Sequence, residues 1–209
     1  MEKTYYYLLL SAILYGSIST VAKPALGNIH PILLSSLVYL ITGISILFIN
    51  ILSKNNFSVE KKSLGLIFVV AIFGGTFGPI LYFMGLNLTN ASFASILINA
   101  EFIFTAILAI SLLKEKVTLF SISGIICIVI ALLILHLDDI QNFADFQNQY
   151  LLGNVLIILS TFFWAADNTI SKLILNQGVS IRNLLYLKSL IGGVVSLIIT
   201  VFLSISFSL

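Results

Sequence analysis

Seven runs of about 20 apolar residues, set apart by short polar breaks, leave this chain few choices of fold. They cover residues 5–26, 32–52, 64–86, 91–113, 119–137, 151–175 and 184–206, within a few residues at each end. A helix needs about 20 such residues to cross a hydrocarbon core about 30 Å thick. The breaks contain Gly27-Asn28, Lys54-Asn55-Asn56, Asn87 to Asn90, Lys114-Glu115-Lys116, Asp138 to Gln149 and Asn176-Gln177-Gly178. No water in the core satisfies backbone N–H and C=O groups, so each span must be a helix or part of a closed barrel. Runs this continuous lack the alternation of barrel strands. The expectation is an all-α, polytopic membrane bundle of seven transmembrane helices.

Composition removes the soluble alternative. Hydrophobic residues make up 59% of the 209 and charged residues 9%, against about 25% charged in soluble domains. Lipid is therefore the expected surrounding partner, and a net charge of +2 gives no argument for nucleic acid. The single cysteine, Cys127, lies inside an apolar run. No internal disulfide or thiolate metal site is expected, and Cys127 reads as a small buried hydrophobe. The first run is too long for a signal peptide and no small-x-small site ends it, so it is expected to span.

Lysine and arginine set the orientation. With the N-terminus on the cytoplasmic side, only Lys23 of the ten lysines and arginines falls at the outer side. Lys3, Lys54, Lys61, Lys62, Lys114 and Lys116 lie on or near the inner side, as do Lys172, Arg182 and Lys188, while Asp138, Asp139 and Asp145 sit in an outer loop. A multi-pass cell-membrane protein with its N-terminus inside and, after seven spans, its C-terminus outside is expected.

The chain also repeats itself. The first span reads LLLSAILYGSISTVAK from Leu8 and the sixth reads IILSTFFWAADNTISK from Ile157. At a shift of 149 positions, Leu10, Ser11, Thr20 and Lys23 fall on Leu159, Ser160, Thr169 and Lys172, and Tyr15 falls on Trp164. Continued without a gap, the match sets Gly43 against Gly192. Five helices separate the two starts, and an odd number makes the second unit enter from the opposite face. Inverted repeats are the architecture of secondary transporters, with the substrate site near the midplane between the halves. The expected organisation is a five-helix unit over 1–137, an outer linker over 138–150 and two helices of a second unit over 151–209.

Ionisable residues inside spans are costly and so mark functional candidates. Glu101 lies ten residues into the fourth span, about 15 Å from its outer end, with no partner near it in sequence. A carboxyl at that depth suits reversible protonation, or holds the bundle together by a bond to another helix. Asp167 is the second deep carboxyl. Ser160, Trp164, Asp167, Asn168 and Ser171 recur at three- and four-residue spacing and form one stripe. Ser11, Tyr15 and Ser19 form the matching stripe in the first span. Such stripes face the bundle interior, where they line a substrate path or knit helices. Lys23, Lys172 and Lys188 lie within a turn or two of a span end, where long cationic side chains snorkel to the headgroups. Gly74 and Gly78 make a small-xxx-small packing face. Pro79 beside them should kink the third span, free the carbonyl four residues earlier and offer a hinge. H-E-x-x-H, G-x-S-x-G and phosphate-binding loops are missing. No enzyme, cofactor or metal site is expected, and His30 and His136 fall at the outer rim.

Four stretches carry a family resemblance. The first span closes on Lys23-Pro24, and His30-Pro31 opens the second. The fourth span carries Ala94-Ser95-Ile96-Leu97-Ile98-Asn99-Ala100-Glu101, followed fourteen residues on by Glu115 in Leu112-Leu113-Lys114-Glu115-Lys116. Gly124 lies in the fifth span, after which the first-span pattern restarts. Over essentially its whole length the chain resembles the EamA-type family of the drug/metabolite transporter superfamily. The resemblance implies a ten-helix protein of two inverted five-helix repeats that exports or exchanges amino acids or other small metabolites. It matches Glu101 to the glutamate of the family's leucine–glutamate–proline element and Glu115 to its glutamate at the inner end of that helix. The chain departs from the pattern at Phe102, where proline is expected. Tyr39 stands where arginine is common, while Lys188 keeps a positive charge at the matching place. The spans also stop at seven.

Two readings follow. One is a small-metabolite transporter with Glu101, Asp167 and the Ser11/Tyr15/Ser19 face along its path. The other is a non-transporting truncated protein, or a subunit whose second repeat a partner chain or another copy completes.

Overall fold

The computed structural model describes residues 2–53, 59–114, 118–135 and 149–203, and every regular element among them is helical. Lys54, Asn55, Asn56, Glu115, Lys116, His136 and the aspartates of the 138–148 loop lie outside the described residues. The order is α1 (Glu2–Gly16), α2 (Ile18–Ala25), α3 (Pro31–Leu52), α4 (Lys61–Ile72), a π-helical turn (Phe73–Phe77), α5 (Gly78–Leu88) and α6 (Ala91–Leu97). Then come α7 (Ala100–Leu113), α8 (Leu119–Leu135), α9 (Gln149–Asn176) and α10 (Ile181–Phe202). Joined across their breaks, these give six helices long and apolar enough to cross a membrane, the two longest being Lys61–Leu88 and Gln149–Asn176. The expected fifth span appears as the 17-residue apolar helix α8. The protein is a polytopic helical membrane bundle.

The best-packed pair is α3 with α10. His30 caps α3, its Nδ1 accepting from the Ile32 N–H, with Pro31 opening the first turn where no N–H is needed. Ser180 caps α10 by accepting from the Asn183 N–H. Both helices are 22 residues long, and their caps and their last residues stand 150 positions apart. Contacts between them are reciprocal. A Cβ on Gly43 would lie 2.8 Å from Leu190, and one on Gly193 would lie 2.8 Å from Leu40. Gly43 therefore has Gly193 as its counterpart, one residue beyond the Gly192 read from the sequence. An extra residue between the spans shifts the register.

Helix α9 packs along α4, α5 and α7. Gly85 and Gly153 bring α5 and α9 to backbone contact, each lacking the Cβ that would meet the other's carbonyl oxygen. Lipid tails are as apolar as leucine, so packing and interhelical hydrogen bonds, rather than burial from water, hold such crossings. One apolar cluster gathers Tyr82, Phe83, Leu86, Leu97 and Ile157, and another gathers Ile67, Val70, Ile174 and Leu184. Helices α1 and α8 carry mostly exposed apolar side chains, as lipid-facing surfaces do. Cys127 is exposed on α8. The expectation of a buried cysteine fails because α8 packs on few neighbours, and its apolar run satisfies lipid instead.

Candidate functional site

Three spans are interrupted in their middle, and the interruptions build the site. The fourth span breaks between α6 and α7. Asn99 donates through Nδ2 to the carbonyls of Ser95 and Ile96, so a side chain takes acceptors that the helix ladder would use. The backbone tightens there, with the Asn99, Glu101 and Phe102 N–H groups bonding to carbonyls three residues back. Glu101 becomes the second residue of a new helix, where the positive end of the helix dipole favours a carboxylate. A sequence reading of one continuous span misses this break, although the amide in an apolar run was its visible sign.

Glu101 joins three helices. Tyr15 Oη on α1 donates to its Oε2 at 3.1 Å, and Asn168 Nδ2 on α9 donates to its Oε1 at 2.5 Å. The carboxyl that had no partner in sequence thus has two, supplied from 86 and 67 positions away. Ser19, one turn beyond Tyr15, shares a 2.7 Å hydrogen bond with Tyr82 Oη of α5, both side chains being buried.

Asp167, beside Asn168 on α9, meets a different helix. Lys188 Nζ of α10 donates to its Oδ2 at 2.5 Å, and Ser171 Oγ donates to its Oδ1 at 3.0 Å. Snorkelling was the expectation for Lys188. The structure overturns it, because a buried carboxylate one helix away offers the ammonium a closer counter-charge than the headgroups do.

The third span is interrupted by a π-helical turn just before Pro79. Within it the Gly78 N–H reaches back five residues, to the carbonyl of Phe73. In that register the N–H that Pro79 lacks would have served Gly74, not the Gly75 expected from ordinary helical spacing. Tyr39 Oη donates to the Gly74 carbonyl at 2.7 Å and Trp164 Nε1 donates to it at 3.3 Å. Gly74 and Gly78 pack as a small-xxx-small face, and the partner is α9. A Cβ on Gly74 would overlap Asp167, and one on Gly78 would lie 2.6 Å from the Trp164 indole nitrogen.

These groups border a cavity of about 430 Å³ lined by residues of α1 to α3, α5, α7, α9 and α10 and by Ile98 and Asn99 in the break before α7. Of the residues expected from sequence, Tyr15, Glu101, Trp164, Asp167, Asn168 and Pro79 line it. Four do not. Ser11 Oγ bonds back to the Leu8 carbonyl on the exposed part of α1, and Ser160 bonds within its own helix. Lys172 lies exposed on α9. Lys23 neither lines the cavity nor snorkels. Its ammonium donates to the carbonyls of Leu86, Asn87 and Thr89 at 2.7, 3.0 and 2.8 Å, spending all three protons on the C-terminal end of α5. Sequence reasoning gave no cavity role to Tyr39, Tyr82, Asn99 or Lys188, the further polar side chains of the lining, nor to its apolar members such as Phe83 and Phe102. Tyrosine in an apolar span carries no periodic signal separating a cavity wall from a core.

Comparison with known proteins agrees with this architecture. The model of the EamA-like transporter family matches residues 2–137. The chain is 27% identical over 219 residues to an uncharacterized transporter of Methanothermobacter thermautotrophicus, covering 97% of this chain and 62% of the relative. It is 28% identical over 201 residues to the riboflavin transporter ImpX of Fusobacterium nucleatum, covering 93% of this chain and 67% of that protein. An uncharacterized transporter of Archaeoglobus fulgidus is 25% identical over 175 residues, 84% of this chain and 59% of the relative. The chain thus spans roughly three-fifths of the length of these relatives. No solved structure matches it. With the family model covering more than half of its residues, the chain belongs to the EamA-like transporter family.

Proposed function

We propose that the cavity around Glu101 is the substrate path of a secondary transporter for small metabolites such as amino acids, working by alternating access between inverted repeats. The observation that carries this reading is the convergence of α1 and α9 on one deep carboxyl at the break of the fourth span, an arrangement suited to binding inside a bilayer. Residues 1–137 form the first five-helix unit and 151–209 two helices of the second, a division supported by the 150-position offset and reciprocal packing of α3 and α10. The N-terminus lies inside, as the lysine and arginine bias supports. Glu101 binds substrate or carries a proton, Tyr15 and Asn168 orient it, and Asp167 with Lys188 and Ser171 fixes α9 against α10. Gly74, Gly78 and Pro79 supply a seam about which the third span rocks.

One relative is named a riboflavin transporter, and the aromatic residues of this cavity suit a flat substrate of that kind. The test is uptake and efflux of amino acids and riboflavin in proteoliposomes. Glu101→Gln should reduce transport to background, and full transport by that variant would remove Glu101 from the path.

A further inference from the structure

The wall of the cavity and the backbone of the third span meet at one oxygen, the Gly74 carbonyl. Tyr39 Oη of α3 donates to it at 2.7 Å and Trp164 Nε1 of α9 at 3.3 Å, and both side chains line the cavity. The π-helical turn explains why this oxygen needs them. There the Gly78 N–H serves Phe73, and the next residue, Pro79, has no N–H to give Gly74. At ordinary four-residue spacing the Gly78 N–H would serve Gly74 itself. The carbonyl therefore has two alternative suppliers, the pair of cavity side chains or the backbone of its own span. Which of them serves it sets the register of the turn.

Two donors aimed at one oxygen also make a site for the acceptor oxygen of a ligand. A ligand that drew Tyr15 or Asn168 away would uncover the Glu101 carboxyl. One that drew Lys188 away would strand the buried Asp167 carboxylate. Drawing Tyr39 or Trp164 away uncovers only a neutral carbonyl, which the remaining donor or the Gly78 N–H can serve. Bonds between neutral groups are about half as strong as those to ionised ones, so this pair changes partner more readily than the ammonium held by Asp167.

We propose that Tyr39 and Trp164 form the acceptor subsite of the cavity, and that the Gly74 carbonyl competes for it with a carbonyl or carboxylate oxygen of the ligand. When the ligand takes one or both donors, the Gly78 N–H returns to Gly74. The proline gap then falls opposite Gly75, and the wide turn moves one residue along the span. Gly78 and Pro79 shift with it, at the place where Gly78 lies against the Trp164 indole. Binding is thereby converted into a change of register in the third span. This rests on the reading of the cavity as a substrate site and gives Tyr39 and Trp164 their role in it.

The sequence supplies two clean reporters. Phe73-Gly74 and Phe77-Gly78 are its two Phe-Gly pairs, so carbonyl-labelled phenylalanine with nitrogen-labelled glycine selects the Gly74 and Gly78 amides in a nuclear magnetic resonance spectrum. Trp164 is the single tryptophan, and its emission reports occupancy. The experiment adds two isosteric probes to the full chain in nanodiscs: acetophenone, which has a carbonyl oxygen, and α-methylstyrene, which has a methylene in its place. Acetophenone should move the Gly78 amide resonance well beyond any shift that α-methylstyrene produces. Tyr39→Phe, which keeps the ring, should move that resonance in the same direction without a probe and lessen the further effect of acetophenone. A helical circular dichroism spectrum and an unshifted Trp164 emission maximum for the variant exclude misfolding as the cause. Saturable emission changes with equal Gly78 shifts from both probes, or with none, overturn the inference and leave the cavity standing as a binding site. A Gly78 resonance unmoved by Tyr39→Phe also overturns it. No saturable emission change with either probe overturns it together with the site reading.

Discussion

Gly74 has no side chain because the carboxylate of Asp167 occupies the space its Cβ would need. The π-helical turn brings the backbone of the third span against α9 at that point, and Lys188 closes on the same carboxylate from α10. Three helices are thereby locked through one residue without a side chain.

Gly74→Ala should therefore act on the ion pair rather than on local helix propensity. The added methyl must push Asp167 away or separate the third span from α9, an overpacking cost of about 1–3 kcal/mol. Differential scanning of the purified protein should show a lowered unfolding midpoint. Gly65→Ala, with open space around its Cβ on α4, should leave the midpoint unchanged or slightly raised.

Breaking the pair from one side should cost more than removing it altogether. Lys188→Met leaves Asp167 buried and uncompensated, an effect of about 3–5 kcal/mol in buried pairs. Adding Asp167→Asn removes the stranded charge and should recover much of that loss. A double-mutant cycle on unfolding free energy checks the sign of the coupling, and additive losses would mean that the two side chains act separately.

Lys23 should behave as a helix cap. Lys23→Met leaves the carbonyls of Leu86, Asn87 and Thr89 without their donor. Unmade hydrogen bonds of this kind cost about 1–3 kcal/mol, and the effect should stay local. Hydrogen exchange should rise at the C-terminal end of α5 and the start of α6, while α9 and α10 keep their protection.

The α3–α10 contact makes a paired prediction. Gly43→Leu and Gly193→Leu each insert a side chain where the partner helix already lies 2.8 Å from a Cβ position. Because the two sites are reciprocal, their losses should be similar in size, about 1–3 kcal/mol each. Markedly unequal losses in unfolding assays would show that the resemblance between the two contacts is only geometric.

The spans and the membrane were determined by sequence alone. A backbone in hydrocarbon must satisfy its own hydrogen bonds, so long apolar runs admit few structures. Glu101 and Asp167 were also legible as candidates, because charge in an apolar run is costly wherever it points. Their partners were not legible. Tyr15 and Asn168 reach Glu101, and Lys188 reaches Asp167, only through interhelical packing. The fourth-span break and the Gly74 carbonyl also depended on local geometry, since one amide side chain and a five-residue register decided them. Periodicity places a residue on a face of its own helix and says nothing of which helix that face meets. Sequence alone determined the helices and their solvent, and tertiary structure decided that Lys188 is spent on Asp167 while Glu101 is held by neutral groups.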